Sequence, residues 1–327
     1  MKQLIILSLF ITSLLSTTVT DMLDRQVEVS KDKKIVAIGP GALRLITYMQ
    51  LQDRLAGVEG VELDFDTKAT YRHALNKDFI KSLPIIGQGG PGNPPNIEAI
   101  IKADPDIIFT SFIPKQMVQR LQKSTQKPVI ALSYGPTYGG IDGQDRLEAI
   151  GQSLQLIGRI TNKNERADKL VEFMQQNKIL LQHALQTQKS VYIGGIGYRG
   201  VQGVTSTEIG YIPFSLLGLQ NIAKNGKTGH LQLNLESLLH LDPDIIFFDL
   251  VAKGVINSEL SAKKPIFDSL TAFKNNQTYW LQPYNFYNTN VENIFVNSYL
   301  IAYYLGLELD IETVKKQIYK TFLGIEI

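Results

Sequence analysis

The chain has 327 residues, enough for two lobes with buried cores. Hydrophobic residues make up 44% and charged residues 20%, ordinary globular values that set aside disorder, collagen and a coiled coil. Thirty-three Lys+Arg against thirty-one Asp+Glu give a net charge of +2, too balanced for a nucleic-acid partner, and the lack of Cys excludes disulfides, iron–sulfur clusters, Cys-ligated zinc and a thiol nucleophile.

Met1 and Lys2 form a short positive head. An apolar run from Leu4 to Ile11, continued by Leu14-Leu15, has the length of an export leader and is short for a membrane span. Small residues Ser16, Thr17, Thr18 and Thr20 follow, so the pattern predicts a removable signal over residues 1–20, the alternative being an uncleaved anchor. No Cys follows the run, so a lipid-anchored form is not expected. The periplasm is the expected compartment.

Ile35-Val36-Ala37-Ile38 reads as a buried strand, broken by Gly39-Pro40-Gly41 and followed by a helical pattern at Leu43, Leu45, Ile46 and Met49. Ile107-Ile108-Phe109 and Val129 to Leu132 are further strands preceded by helix-like sequence, which predicts parallel β-α units. Ile150, Leu154 and Ile157 then fit one helix, with a break around Gly158. A second helix, capped by Asn162 or Asn164, runs without Gly or Pro to Gln188. At Val191-Tyr192-Ile193 the strand pattern restarts.

An internal repeat organises the whole. Asn96 to Phe109 and Asn234 to Phe247 are identical at eight of fourteen positions at an offset of 138, and each reads as helix, Asp-Pro turn and buried strand. Each copy leads to a second strand and a tyrosine-bearing loop. The expected fold is therefore α/β: two Rossmann-like lobes with parallel-type sheets, joined by a long rigid helix, with a ligand cleft between them. The expected boundaries are 21–158 for the first lobe, 159–188 for the connector and 189–327 for the second lobe.

These features, with the Lys33 to Ala42 opening, the Pro84-Ile85-Ile86-Gly87 turn and the two Asp-Pro-Asp-Ile-Ile strands, resemble the periplasmic binding proteins of ABC importers. The similar branch captures ferric siderophores, vitamin B12, haem and nickel chelates. The resemblance implies a monomer that traps a small-molecule metal chelate and delivers it to a permease dimer at the inner membrane. It implies no catalysis and no resident cofactor, because the metal is part of the cargo. A ferric siderophore ranks first; a nickel chelate, cobalamin and haem are alternatives, and an exported enzyme of the same bilobal shape is the alternative of a different class. No Gly-x-Ser-x-Gly, His-Glu-x-x-His or Walker sequence is present.

Loops beyond the carboxyl ends of parallel strands are where open α/β sheets bind ligands. Tyr71, Arg72 and His73 stand together in a polar stretch and could hold an anionic or metal-bearing ligand. Tyr198 and Arg199 follow the first strand of the second lobe, where a guanidinium can pair with a carboxylate, and Thr205 offers a hydroxyl or a helix cap. Tyr284, Phe286 and Tyr287 lie in a late aromatic loop suited to lining a cleft. His230 sits where the other lobe has Gly92 and is a candidate metal ligand. Glu98 and Glu236 open the repeated helices; an acid there favours the helix dipole, and in similar proteins one acid per lobe docks on the permease. Asp106 and Asp244 are expected to hold turns, and His183 and His240 to be surface or structural.

Overall fold

The computed structural model describes residues 17–30, 34–65, 68–90, 93–135, 143–182, 184–224 and 229–327, with 143–145 described by backbone alone. His183 and residues 1–16 lie outside these. In the first lobe, β1 (Thr17–Thr20) and β2 (Gln26–Val29) form an antiparallel hairpin. β3 (Ile35–Ile38), β4 (Leu55–Gly57), β5 (Ile107–Ser111) and β6 (Val129–Leu132) form a parallel sheet in the order β4-β3-β5-β6. Every residue of β3, β5 and β6 is buried, which is why these strands read as unbroken apolar runs instead of alternating ones.

In the second lobe, β7 (Val191–Gly194), β10 (Ile245–Asp249) and β11 (Thr278–Leu281) form a parallel sheet in the order β11-β10-β7. β8 (Ser206–Ile209) and β9 (Gly229–Gln232) add an antiparallel ribbon. The ribbon differs from the expectation that Thr205 to Glu208 would be loop or cap. Its strands are short and partly polar, and they are stabilised by pairing with each other.

The repeat folds as two matching units. The helices Ile97–Ala103 and Leu235–Leu241 are capped by Asn96 and Asn234, whose side chains accept from Ala99 N (3.0 Å) and Ser237 N (2.7 Å). Both end on an aspartate in the left-handed region, Asp104 (φ 48°) and Asp242 (φ 37°), immediately before the proline that prevents helix continuation. Asp106 accepts from Lys34 N and Asp244 from Ser190 N, each at 2.8 Å, so the second aspartate of each repeat ties its turn to the start of the neighbouring strand.

The connector is two packed helices, Gly143–Thr161 and Asn164–Gln182, not one rod reaching Gln188. Gly158 does not break the first. A Cβ there would lie 2.9 Å from Ala167 Cβ, so glycine permits close approach of the two helices. The reversal comes instead at Asn162 (φ 57°). The helices Val291–Tyr304 and Ile311–Leu323 then return the chain to the first lobe. Phe322 packs edge-on against Tyr48 (5.2 Å), and Phe173 of the connector against Phe295 and Phe322 (5.7 Å each). One continuous core therefore contains residues of both lobes and the connector.

Candidate functional site

A cavity of about 540 Å³ opens where the carboxyl ends of both sheets face each other. The first lobe supplies Pro40 after β3 and Phe112 after β5; the connector supplies Arg146. The second lobe supplies Tyr198 and Arg199 after β7, Glu208 on β8, His230 on β9 and the loop Asn285 to Thr289 after β11. Four non-glycine lining residues hold left-handed backbone: Phe112 (φ 58°), Arg199 (52°), Tyr287 (49°) and Asn288 (83°). Such conformations cost of order 1–3 kcal/mol each and persist where surrounding structure imposes them, commonly at ligand sites.

The polar groups are few and distinct. Arg199 is exposed, with its guanidinium 5.4 Å from the Tyr198 ring centroid and no ion pair among the described residues. The Tyr198 ring stacks on His230 at 4.1 Å and 9°. His230 Nε2 lies 2.9 Å from Ser206 Oγ, and burial lowers its pKa. Arg146 ties the connector to the second lobe, reaching Glu208 (3.0 Å) and donating to Thr289 Oγ1 (2.6 Å). Burial raises the Glu208 carboxyl while Arg146 opposes the shift.

The sequence candidates divide. Tyr198, Arg199, His230, Phe286 and Tyr287 come together on the cavity wall. Tyr71 and Arg72 are buried away from it: the Tyr71 hydroxyl donates to Glu62, and Arg72 Nε pairs with the same carboxylate at 3.0 Å. His73 is exposed on the short helical turn Thr70–Ala74. Thr205 Oγ1 accepts from Gln232 Nε2 at 2.8 Å beside the ribbon. Tyr284 is fully buried against Tyr211, and its hydroxyl has no hydrogen-bond partner among the described residues. Glu98 and Glu236 are exposed in the first turns of the matching helices. Among the described residues, no group of three or more His, Asp or Glu could hold a metal ion. Arg146, Glu208, Asn285 and Thr289 were not singled out from sequence.

A family model described as "Periplasmic binding protein" matches residues 52–284. The chain belongs to that family. It is 24% identical over 261 residues to the molybdate-binding protein MolA of Haemophilus influenzae, covering 73% of this chain and 70% of MolA. The structure of MolA bound to molybdate superposes with a TM-score of 0.75 at 18% identity, covering 95% of this chain and 99% of that one. The putative ABC transporter substrate-binding lipoprotein YhfQ of Bacillus subtilis is 26% identical over 238 residues, 68% of this chain and 70% of its own. The nickel-bound structure of Helicobacter pylori CeuE shares the fold at a TM-score of 0.67 and 17% identity, covering 95% and 97% of the two chains.

In this periplasmic binding protein of the ABC-importer type, one wall of the cavity is fixed to the opposite lobe. Fully buried Arg44 donates to the Phe286 and Tyr287 carbonyls (2.7 and 3.2 Å), and Asn288 Nδ2 donates to Pro40 O (3.0 Å). The Tyr287 hydroxyl donates to Glu59 Oε2 (2.9 Å) and accepts from Gly90 N (3.0 Å). Burial works against the Arg44 charge, but nearby phenol oxygens and the Glu292 carboxylate hold it protonated. Gly41, with φ 86°, lies where a Cβ would meet Tyr134 Oη at 2.6 Å, so the turn after β3 requires glycine.

Buried carboxyls should make the stability of the binding protein depend on pH: burial raises Glu208 and Glu292 as well as Glu59 and Asp249. Burial pushes both Glu59 and Asp249 up to about 7. Their unfolded values lie near 4, so between about pH 4.5 and 7 the native state binds more protons. Stability should therefore fall as pH rises through that window, by up to about 1.4 kcal/mol per pH unit for each group. The lowered pKa values of His73 and His230 act in the opposite sense below about pH 6.5. Urea midpoints should be higher at about pH 6 than at about pH 8, and Asp249→Asn should flatten the difference. A higher midpoint at pH 8 would contradict the assignment.

Proposed function

We propose that the protein captures an anionic metal chelate, foremost a ferric siderophore, between its lobes and delivers it to an ABC permease dimer. The observation that carries this is the exposed Arg199 guanidinium beside the aromatic lining of Tyr198, Phe286, Tyr287 and Phe112, in a cavity whose other cation, Arg146, is already paired with Glu208. The volume falls within the range of small-molecule sites. A tetrahedral oxyanion occupies the space of only a few waters, each about 30 Å³, and would leave most of the cavity wet. In this reading Arg199 pairs with ligand oxygens, the aromatic side chains cover the ligand's faces, and His230 offers one nitrogen to a chelate with an open coordination position. Nickel chelate, cobalamin and haem would use the same walls.

Bare oxyanion capture is the second reading, favoured by the likeness to the molybdate-binding protein MolA. Native mass spectrometry of protein purified from the periplasm of its own host separates the two. An added mass equal to metal plus organic chelator supports the first, and an added oxyanion mass supports the second.

Glu98 and Glu236 are proposed as the permease contacts, one per lobe. Glu98→Ala combined with Glu236→Ala should leave chelate affinity within twofold and reduce uptake at least tenfold. Parallel loss of affinity and uptake would refute the docking role.

A further inference from the structure

We infer that the leader is removed on the N-terminal side of Thr17, so that β1 belongs to the exported protein. This rests on the reading of residues preceding β1 as an export signal. It moves the expected boundary from about residue 20 to residue 16 or earlier.

The argument lies in what residues 17–25 do. Thr17, Thr18, Val19 and Thr20 pair with Val29, Glu28, Val27 and Gln26 in register. Val19, Val27 and Val29 face the core and are no more than 9% exposed. The run of small hydroxyl residues that looks like a cleavage region is thus a β-branched strand with one apolar face. The hairpin is also fastened to the first sheet. Asp21 is buried; its Oδ1 accepts from Leu23 N (3.0 Å) and Arg25 N (3.1 Å), and its Oδ2 from Arg25 Nε (2.9 Å) and Ala131 N (3.0 Å). Met22 N donates to Ala131 O at 3.1 Å, and Arg25 reaches Gln122 Oε1 (3.2 Å) and Val129 O. Ala131 belongs to β6, the edge strand of the first sheet, so the segment covers an edge that would otherwise be open to pairing.

Cleavage after Thr20 would remove β1, uncover Val27 and Val29, and place a new ammonium group on Asp21, whose N–H donates to Arg25 O at 3.0 Å. Small residues suited to a cleavage position also occur earlier, at Ser13 and Ser16. Hydrolysis there consumes one water and leaves a carboxylate on the leader and an ammonium on the mature chain, with the hairpin whole.

The test is intact mass and amino-terminal sequencing of the full chain expressed with its own leader in a Gram-negative periplasm. The expected first residue lies between Leu14 and Thr17. A first residue at Thr18 or later would overturn the inference. An uncleaved chain would overturn it too, and would at the same time refute the export reading on which it rests. A second measurement compares mature proteins beginning at Thr17 and at Asp21. The shorter one should melt roughly 5 °C lower or more, and equal melting temperatures would contradict the structural role of β1.

Discussion

Arg72→Ala is expected to destabilise the protein by about 3–5 kcal/mol, the cost of breaking a buried ion pair by removing one partner. Arg72 and Glu62 are 1% and 2% exposed, and Arg72 Nη2 also donates to Val61 O at 2.9 Å. Truncation leaves the Glu62 carboxylate buried with the Tyr71 hydroxyl as its remaining side-chain donor among the described residues. The Arg72 guanidinium also lies 5.6 Å from the centroid of the Phe286 ring, so its loss loosens a cavity wall from behind. Urea unfolding measures the effect. Unchanged stability with lost chelate affinity would instead place Arg72 in contact with ligand.

Arg199→Gln is expected to do the opposite: stability nearly unchanged, affinity for an anionic chelate down by about 10–100-fold. A hydrogen bond to a charged group is worth about 1.5–3 kcal/mol, which sets that range. Arg199 is exposed and its guanidinium lies over the Tyr198 ring, so the fold depends little on it. Arg199→Lys should restore part of the loss, since it keeps the charge but not the planar fork. Calorimetric titration beside thermal melts checks both halves of the expectation.

The contrast between these two arginines marks how far sequence reading reaches. Both stood beside a tyrosine in a polar stretch, and nothing local separated them. Arg72 is buried by Glu62, ten residues away on another short turn, and a pattern of residue types does not report that pairing. The repeat was different. Asn caps, Asp-Pro turns and apolar strands are local signals, and they placed β5 and β10 without long-range information. The aromatic loop was legible as a cavity wall, but its attachment to the first lobe through Arg44 was not, because the partners are more than 240 residues apart. One signal for the buried network was available: Glu292 stands just before the apolar run Ile294 to Val296, and an acid there demands an internal partner, which Tyr48 supplies. The β8–β9 ribbon escaped because its strands are short and half polar. The repeat offset aligns His230 with Gly92 of a glycine-rich stretch, yet it lies on β9 directly opposite Glu208.

The central claim is that the interlobe cavity selects an anionic metal chelate through Arg199. Calorimetric titration of the wild-type protein and Arg199→Gln against a ferric tris-catecholate chelate tests it most directly, with molybdate as the competing ligand. Binding of the chelate by the wild type at about 1 μM or tighter, about −8 kcal/mol, with a 10–100-fold loss in Arg199→Gln and no comparable affinity for molybdate, is the predicted result. Tight molybdate binding without chelate binding, or equal chelate affinity in the two proteins, would contradict it.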